Sequence, residues 1–217
     1  MIMNDRNMND NDMAKRDITT VIFDLGNVLI DFCWQKAFHK MGIEGERFEK
    51  LANATVRDQI WNEHDKGAMS EEEILNGMIA NDPSMEAEIR MLYDNLGECL
   101  DPYDFSIDWV EDLKAAGYKV YILSNFSRKS FYESGDKLDV VKHADGAVLS
   151  FKEQLLKPFP EIYELLIARY NIDRAHAVFL DDTPANIEGA RAVGLRGIVV
   201  KDHESAIEGL HQLGVYW

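Results

Sequence analysis

Short apolar runs rich in β-branched residues recur along the chain at intervals that suit a parallel sheet. The first run covers residues 18–25, and similar runs lie at 118–123, 177–180 and 198–200. Continuous apolar runs of this length are typical of strands that are buried on both faces. Parallel strands must be joined by long crossovers, usually helices. The runs therefore predict a sheet with helices packed against both of its sides.

Helical patterns lie between or after most of these runs. Apolar residues at 159–170 repeat with i, i+3, i+4 spacing, which predicts a helix, and shorter patterns lie at 107–113 and 207–213. Another helix is predicted to start at Pro184 and to stop at Gly194. Strands that alternate with helices predict an α/β fold with a doubly wound, Rossmann-like parallel sheet.

Residues 33–105 interrupt this alternation, because they carry helix signals and no convincing strand. Ser70 followed by Glu73 forms a capping box ahead of an apolar helical pattern. Asp82-Pro83 predicts the start of another helix. We therefore predict that residues 33–105 form an all-helical cap inserted after the first strand.

The predicted division of the chain has three parts. Residues 1–17 are rich in Asn, Asp and Met and carry no core pattern, so we expect a flexible tail. Residues 18–32 and 106–217 are predicted to form the α/β core, and residues 33–105 the helical cap.

Acidic residues outnumber basic ones, which limits the kinds of partner. The formal net charge is −16, and residues 41–105 hold 16 acidic and 5 basic side chains. A negative field of this size repels nucleic acid and anionic membranes, so we expect neither as a partner. No run approaches the roughly 18 apolar residues of a membrane span. Cys33 and Cys99 show no metal or redox spacing, which predicts reduced thiols in a cytoplasmic protein. The sequence leaves the oligomeric state open.

Polar side chains stand where the predicted strands end. Asp24 ends the first strand, Ser124-Asn125 the second and Asp181-Asp182 a later one, while Lys157 precedes the helix at 159–170. Ligands of open α/β sheets bind at the carboxyl ends of the strands. We therefore expect these four clusters to converge on one crevice.

The charges of that crevice predict a metal ion. Three carboxylates repel each other in a low-dielectric crevice, and Lys157 offsets only one of them. Hard oxygen ligands suit Mg²⁺ better than Zn²⁺, and no His/Cys cluster competes for zinc. A cation, fixed donors and an in-line nucleophile are what phosphoryl transfer requires, and an Asp carboxylate can be that nucleophile.

Taken together, these motifs resemble the haloacid dehalogenase (HAD) superfamily, in its phosphatase branch with a helical cap. The cap stretches 63–67 and 70–73 also resemble this branch. The resemblance implies a HAD-like core, Mg²⁺ as cofactor and a small phosphorylated metabolite as substrate. The DLGN form of the first motif is similar to the sugar-phosphatase members, which implies a sugar phosphate. The matching residues are Phe23 through Leu29 (FDLGNVL), Leu123-Ser124-Asn125, Lys157-Pro158 with Ile162-Tyr163, and Asp181-Asp182 with Asn186 and Gly189.

The resemblance also implies a role for each matching residue. Asp24 is expected to be the nucleophile and a metal ligand, together with the Gly26 carbonyl, Asp182, and Asp181 directly or through water. Ser124 and Asn125 are expected to hold the phosphoryl oxygens. Lys157 is expected to neutralise charge on the phosphoryl group and the nucleophile.

Gly26 departs from the family pattern. Most phosphatases of the family carry a second Asp at this position as general acid and base. Without it, leaving groups that tolerate negative charge should react best, so sugar 1-phosphates should be turned over better than sugar 6-phosphates. His64 or a metal-bound water are the candidates for activating water in the second half-reaction.

Each residue also has a structural reading. Asp24 could cap a strand–helix turn, Ser124-Asn125 could form an ordinary turn, and one of Asp181-Asp182 could be a helix N-cap. Within the cap, Trp61 is expected to be core, while His64 could face the crevice. Asp31 is a weaker candidate for a substrate contact.

Three other functions compete with a phosphatase. A metal-independent haloacid dehalogenase would use the same Asp24, but it gains nothing from the paired acids Asp181-Asp182. A catalytically impaired phosphometabolite-binding protein is motivated by Gly26. A mutase would need a general acid where Gly26 stands.

Overall fold

A computed structural model describes residues 17–217, and the predicted tail therefore lies almost entirely outside the described residues. Five strands form a parallel sheet in the order β5-β4-β1-β6-β7, and β2 pairs with β3 in a separate antiparallel ribbon. The four predicted strands are confirmed, whereas β5 is one that the sequence analysis missed. The strands are β1 (Thr20–Phe23), β2 (Ile30–Phe32), β3 (Leu100–Pro102), β4 (Lys119–Ser124), β5 (Gly146–Leu149), β6 (Ala177–Asp181) and β7 (Arg196–Val199).

Helices cover both faces of this sheet. Helices α6 and α12 contribute to the apolar cluster on one face, and α10 and α11 to the cluster on the other. The doubly wound α/β fold is therefore as predicted. In chain order the helices are α1 (Trp34–Lys40), α2 (Gly45–Ala54), α3 (Gln59–Lys66), α4 (Glu71–Asn81), α5 (Glu86–Tyr93), α6 (Ser106–Ala115), α7 (Arg128–Glu133), α8 (Val140–His143), α9 (Ser150–Glu153), α10 (Pro160–Tyr170), α11 (Pro184–Ala192) and α12 (His203–Gln212).

The central strand β1 shows why the chain folds this way. It pairs in parallel with β4 on one side and β6 on the other. Val21 and Phe23 belong to one apolar cluster and Ile22 to the other, because successive side chains of a strand point to opposite faces. A strand flanked on both edges and covered on both faces is mostly apolar, as Val21, Ile22 and Phe23 are here. Asp24, the first polar side chain after it, therefore lies at the carboxyl edge of the sheet.

Helices α1–α5 lie between β2 and β3, and we call residues 34–99 the helical insert. The insert has its own apolar cluster, which includes Phe38, Leu51 and Ile89. The predicted capping box is present, since Glu73 N donates to Ser70 Oγ at 3.2 Å and Ser70 N donates to Glu73 Oε2 at 2.8 Å.

The structure adds one strand to the range predicted to be all helical. Strand β3 pairs with β2, so that Ile30 lies opposite Pro102 and Phe32 opposite Leu100. This ribbon joins the two ends of the insert to the core. The division of the chain at residues 33 and 105 remains a prediction.

Two further sequence expectations concern the thiols and the membrane. Cys33 and Cys99 are buried free thiols. Within residues 17–217, every helix is too short or too polar to cross a membrane.

His64 is buried in the helical insert. Its ring packs edge-on against Trp61 and tilted against Tyr93, with both pairs of ring centroids 5.6 Å apart. Neither ring nitrogen has a hydrogen-bond partner among the described residues. Burial, and secondarily the charge of Lys129, lowers the pKa of His64 to about 4. The insert therefore holds a neutral imidazole.

We expect this histidine to make the fold sensitive to acid. The unfolded chain binds a proton on His64 with a pKa of about 6.5, whereas the folded chain binds it only near 4. Stability is therefore lost as the pH falls below about 6.5, by roughly 2 kcal/mol between pH 7 and pH 5. His64→Leu should remove this part of the pH dependence, as measured by denaturant unfolding at both pH values.

The matched control is His39→Leu, which replaces an exposed histidine of the same insert. It should lose stability between pH 7 and pH 5 as the wild type does. An equal loss in His64→Leu and wild type would contradict the assignment.

Candidate active site

Lys157 lies between two carboxylates at the carboxyl edge of the sheet. Its Nζ is 2.8 Å from Asp24 Oδ1 and 2.6 Å from Asp181 Oδ2, and its side chain is 1% exposed. Burial alone lowers the pKa of Lys157, but the two carboxylates raise it above its usual value. The ammonium group is therefore held charged away from water.

Asp24 is fixed in orientation by the backbone around it. Its N–H donates to the Leu180 carbonyl of β6 at 2.9 Å, and its Oδ1 accepts from Leu25 N at 2.7 Å as well as from Lys157. Burial raises the pKa of Asp24 to about 7, with Asp181 adding to the effect and Lys157 opposing it. The negative charge of this carboxylate thus lacks full compensation from the protein alone.

Asp181 has both carboxylate oxygens engaged. Oδ1 accepts from Thr183 N at 2.8 Å and from Asn186 Nδ2 at 3.0 Å, while Oδ2 accepts from Lys157 and, at 3.0 Å, from Asn186. Asn186 is itself held, because the Tyr163 hydroxyl donates to its carbonyl at 2.7 Å. Asp181 therefore serves as an anchor for Lys157.

Asp182 faces outward beside this buried group and is half-buried. Asn27 Nδ2 donates to its Oδ2 at 2.8 Å, and the Thr183 hydroxyl donates to its Oδ1 at 3.3 Å. Asn27 lies in the loop that follows Asp24, so this bond ties the ends of β1 and β6 together. Asn27 lies within the FDLGNVL motif, but the sequence alone predicted no role for it.

Two contacts position the loop that carries Lys157. The side-chain amide of Asn125 donates to the Lys157 carbonyl at 3.0 Å and accepts from the Lys157 N–H at 2.9 Å. On the other side, a Cβ on Gly189 would lie 2.4 Å from the Pro158 carbonyl oxygen, so only glycine permits this approach of α11. The side chain of Asn125 is thus occupied with positioning Lys157.

The three acids form a cluster that could hold a metal ion. One carboxylate oxygen each of Asp24, Asp181 and Asp182 lies within 4.8 Å of the other two. Three carboxylates against the single ammonium of Lys157 leave two negative charges. Oxygen donors with this surplus charge fit a hard divalent cation.

A cavity of about 230 Å³ opens above this cluster, and its two sides differ in chemistry. The sheet edge supplies Asp24, Asp182 and Lys157, together with the amides of Asn27, Asn125 and Asn186. The opposite side is mostly apolar, and Asp65 of α3 is the only charged side chain that the insert contributes. The apolar lining consists of Trp61 and Leu96 of the insert, Phe32 and Leu100 of the β2–β3 ribbon, and Phe126, which follows β4.

The structure separates the sequence-predicted residues into three groups. Asp24, Gly26, Asn125, Lys157 and Asp182 line the cavity. Asp181 and Ser124 are buried beneath it, and the Ser124 hydroxyl donates to the Asn125 carbonyl at 3.4 Å.

The remaining candidates lie elsewhere or differ from expectation. Asp31 is paired with Lys36 at 2.6 Å and does not line the cavity. His64 does not face the crevice, because its ring is enclosed by the aromatic side chains of the insert. Trp61 lines the cavity as well as packing in the insert.

Asp65 is a cavity residue that sequence reasoning left without a role. It follows Trp61 by four positions, so the two share one face of α3. The four-residue spacing from Trp61 could have indicated Asp65. The sequence does not show, however, that this face of α3 is turned towards the cavity.

The fold and the buried charges define an α/β protein with a cluster of carboxylates and one lysine at the carboxyl edge of its parallel sheet. The chain matches the haloacid dehalogenase-like hydrolase family over residues 18–194 and belongs to this family. The resemblance found in the sequence is thereby confirmed.

The individual proteins that resemble this chain share about a quarter of its residues. A sesquiterpene phosphatase of Aspergillus oryzae is 24% identical over 192 residues, covering 88% of this chain and 94% of the relative. A D-ribitol-5-phosphate phosphatase of Bacteroides thetaiotaomicron is 26% identical over 197 residues, covering 82% and 89%. A HAD family enzyme of the same bacterium, crystallised with magnesium and inorganic phosphate, superposes with a TM-score of 0.66 at 23% identity, covering 86% of this chain and 96% of that one.

Proposed function

We propose that this protein is a magnesium-dependent phosphatase of a small phosphorylated metabolite that works through an aspartyl-phosphate intermediate on Asp24. The observation that carries the proposal is the Asp24–Lys157–Asp181 group beneath the cavity, with Asp182 beside it. The solved HAD family structure with magnesium and phosphate supports the same reading.

Each polar residue of the sheet edge has a place in this proposal. Asp24 attacks phosphorus, and its fixed orientation gives the short, aligned approach that such a step needs. Lys157 offsets the charge of Asp24 and of the phosphoryl oxygens. The hydroxyl of Ser124 and the backbone around Asn125 hold the phosphoryl oxygens, while the Asn125 side chain positions Lys157.

Asp24, the Gly26 carbonyl and Asp182 are the residues that we expect to hold Mg²⁺. Asp181 acts less directly, because both of its oxygens already accept hydrogen bonds within the site. When bound, Mg²⁺ neutralises charge on the carboxylates and the phosphoryl oxygens. The helical insert serves as the cap of the site in this proposal.

The substrate class has two candidates. The first is a sugar phosphate, supported by the DLGN motif and by the D-ribitol-5-phosphate phosphatase among the relatives. The second is the phosphate of an apolar alcohol. It is supported by the apolar lining opposite the acids and by the sesquiterpene phosphatase among the relatives. A sugar has many hydroxyls that need polar partners, and the insert side of the cavity offers few.

A dehalogenase and a catalytically impaired binding protein remain the alternatives. Metal-independent dehalogenation gives no reason for Asp182 to stand beside Asp24 and Asp181. The impaired-protein alternative rests on Gly26 alone. Both alternatives predict the absence of magnesium-dependent phosphate release, so the experiments below separate them from the proposal.

Asp24→Asn should remove nearly all turnover, because an amide cannot form the acyl phosphate. We expect a loss of more than about 10³-fold in kcat, equivalent to about 4 kcal/mol of barrier, by phosphate release from p-nitrophenyl phosphate. Asp31→Asn is the control, since this acid does not line the cavity. Activity of Asp24→Asn within tenfold of the wild type would exclude Asp24 as nucleophile.

Chelation should abolish hydrolysis, and added Mg²⁺ should restore it. Mg²⁺ should also raise the melting temperature of the wild type, because a ligand of the folded state stabilises it. Asp182→Ala should lose this shift more completely than Asp181→Ala, which mainly disturbs Lys157. An unchanged Mg²⁺ shift in Asp182→Ala would place the metal elsewhere, and full activity in EDTA would refute metal dependence.

A comparison of glucose 1-phosphate, glucose 6-phosphate and farnesyl phosphate distinguishes the substrate classes. If the apolar lining selects the substrate, farnesyl phosphate should have a kcat/KM at least tenfold above either sugar phosphate, and Trp61→Ala should reduce that advantage. A higher kcat/KM for a sugar phosphate would favour the first class.

A further inference from the structure

The cavity holds a carboxyl group on the side opposite the nucleophile. Asp65 lines the cavity from α3 of the insert, and Asp24 lines it from the end of β1. In an in-line displacement the leaving oxygen lies on the far side of phosphorus from the attacking oxygen. With Asp24 at the sheet edge, the leaving group must point towards the insert.

The Asp65 carboxylate stands unpaired within the part of the chain that the structure describes. Its side chain makes no hydrogen bond or ion pair with any of residues 17–217, and it is half-buried in the wall of the cavity. An ionised, unpaired carboxylate beside a phosphoryl group is costly, whereas a protonated one can donate a hydrogen bond. The position therefore favours the acid form.

The backbone of Asp65 is anchored to the core. The hydroxyl of the fully buried Ser150, at the start of α9, donates to the Asp65 carbonyl at 2.5 Å and accepts from Phe126 N at 2.8 Å. Gly67, which follows α3, lies so close to the α9 backbone that a Cβ on it would be 2.9 Å from Phe151 Cα. The end of α3 is thus held in place over the site.

We propose that Asp65 is the general acid and base of the reaction. It would take the role that an Asp at the position of Gly26 has in most phosphatases of the family. This inference rests on the proposed phosphatase function. In the first step Asp24 bonds to phosphorus, the bond from phosphorus to the leaving oxygen breaks, and Asp65 gives its proton to that oxygen. In the second step the Asp65 carboxylate takes a proton from water, the water oxygen bonds to phosphorus, and the bond to Asp24 breaks. Asp65 is then protonated again.

The electrostatic surroundings agree with this assignment. Burial, and secondarily the charge of Asp24, raises the pKa of Asp65 to about 8. An acid and base works best when its pKa lies near the working pH.

The test compares two substrates of similar shape that differ in leaving group. p-Nitrophenolate departs without a proton, whereas the alkoxide of p-nitrobenzyl phosphate requires one. In Asp65→Asn, rapid-mixing measurements should show release of one p-nitrophenol per enzyme at a rate within tenfold of the wild type. Release of p-nitrobenzyl alcohol should fall about 10²–10⁴-fold. Slow steady-state turnover of both should follow, because the second step has lost its base.

Glu63→Gln on the same helix is the control and should leave both release rates unchanged, because Glu63 does not line the cavity. Circular dichroism and thermal unfolding establish that each variant is folded. An equal fall in the release rates of p-nitrophenol and p-nitrobenzyl alcohol, or no fall in either, would overturn the role of Asp65. The phosphatase proposal would remain intact. Failure of wild-type enzyme with Mg²⁺ to release phosphate from either substrate would instead refute the phosphatase proposal.

Discussion

The buried ammonium group of Lys157 is the interaction on which the site depends. Three acids converge at the edge of the sheet because Asp24 follows β1, and Asp181 and Asp182 stand at the end of β6, its parallel neighbour. Without a cation among them, the charges of Asp24 and Asp181 would repel in a medium that screens them poorly. Leaving one member of such a buried ion group unpaired costs about 3–5 kcal/mol. Lys157 thus makes the arrangement of carboxylates compatible with a folded core.

Much of the surrounding structure serves to hold that lysine. Asn125 binds its backbone in both directions, and Asp181 binds its side chain. Asn186 in turn fixes Asp181. These contacts give a physical meaning to motif residues that never reach the cavity. Tyr163 belongs to the sequence pattern because its hydroxyl holds Asn186, and Gly189 because any side chain there would displace the lysine loop.

The core and the acidic cluster could be predicted from the sequence because both follow from local patterns. Apolar runs identify the central strands, and the topology of a parallel sheet brings their carboxyl ends together. Strand β5 was missed because its first two residues, Gly146 and Ala147, are of types that are uncommon in strands, which leaves only two β-favouring or large apolar residues in the run. The positions of His64 and Asp65 depend on how α3 rotates against the core, and neighbouring residues on a helix point about 100° apart. One faces the aromatic interior and the other the cavity, a difference that sequence spacing alone does not decide.

The placement of Asp65 bears on why a general acid can be absent from the first motif. A Cβ at position 26 would meet nothing within 4 Å, so space does not exclude a side chain there. An acid on the core is present whether or not the insert covers the site. In our proposal an acid on α3 reaches the leaving group only while α3 packs against α9, a contact that also holds Trp61 at the cavity wall. Proton supply is then coupled to the exclusion of water, because a substrate that holds the insert against the core also brings the acid that its alcohol requires.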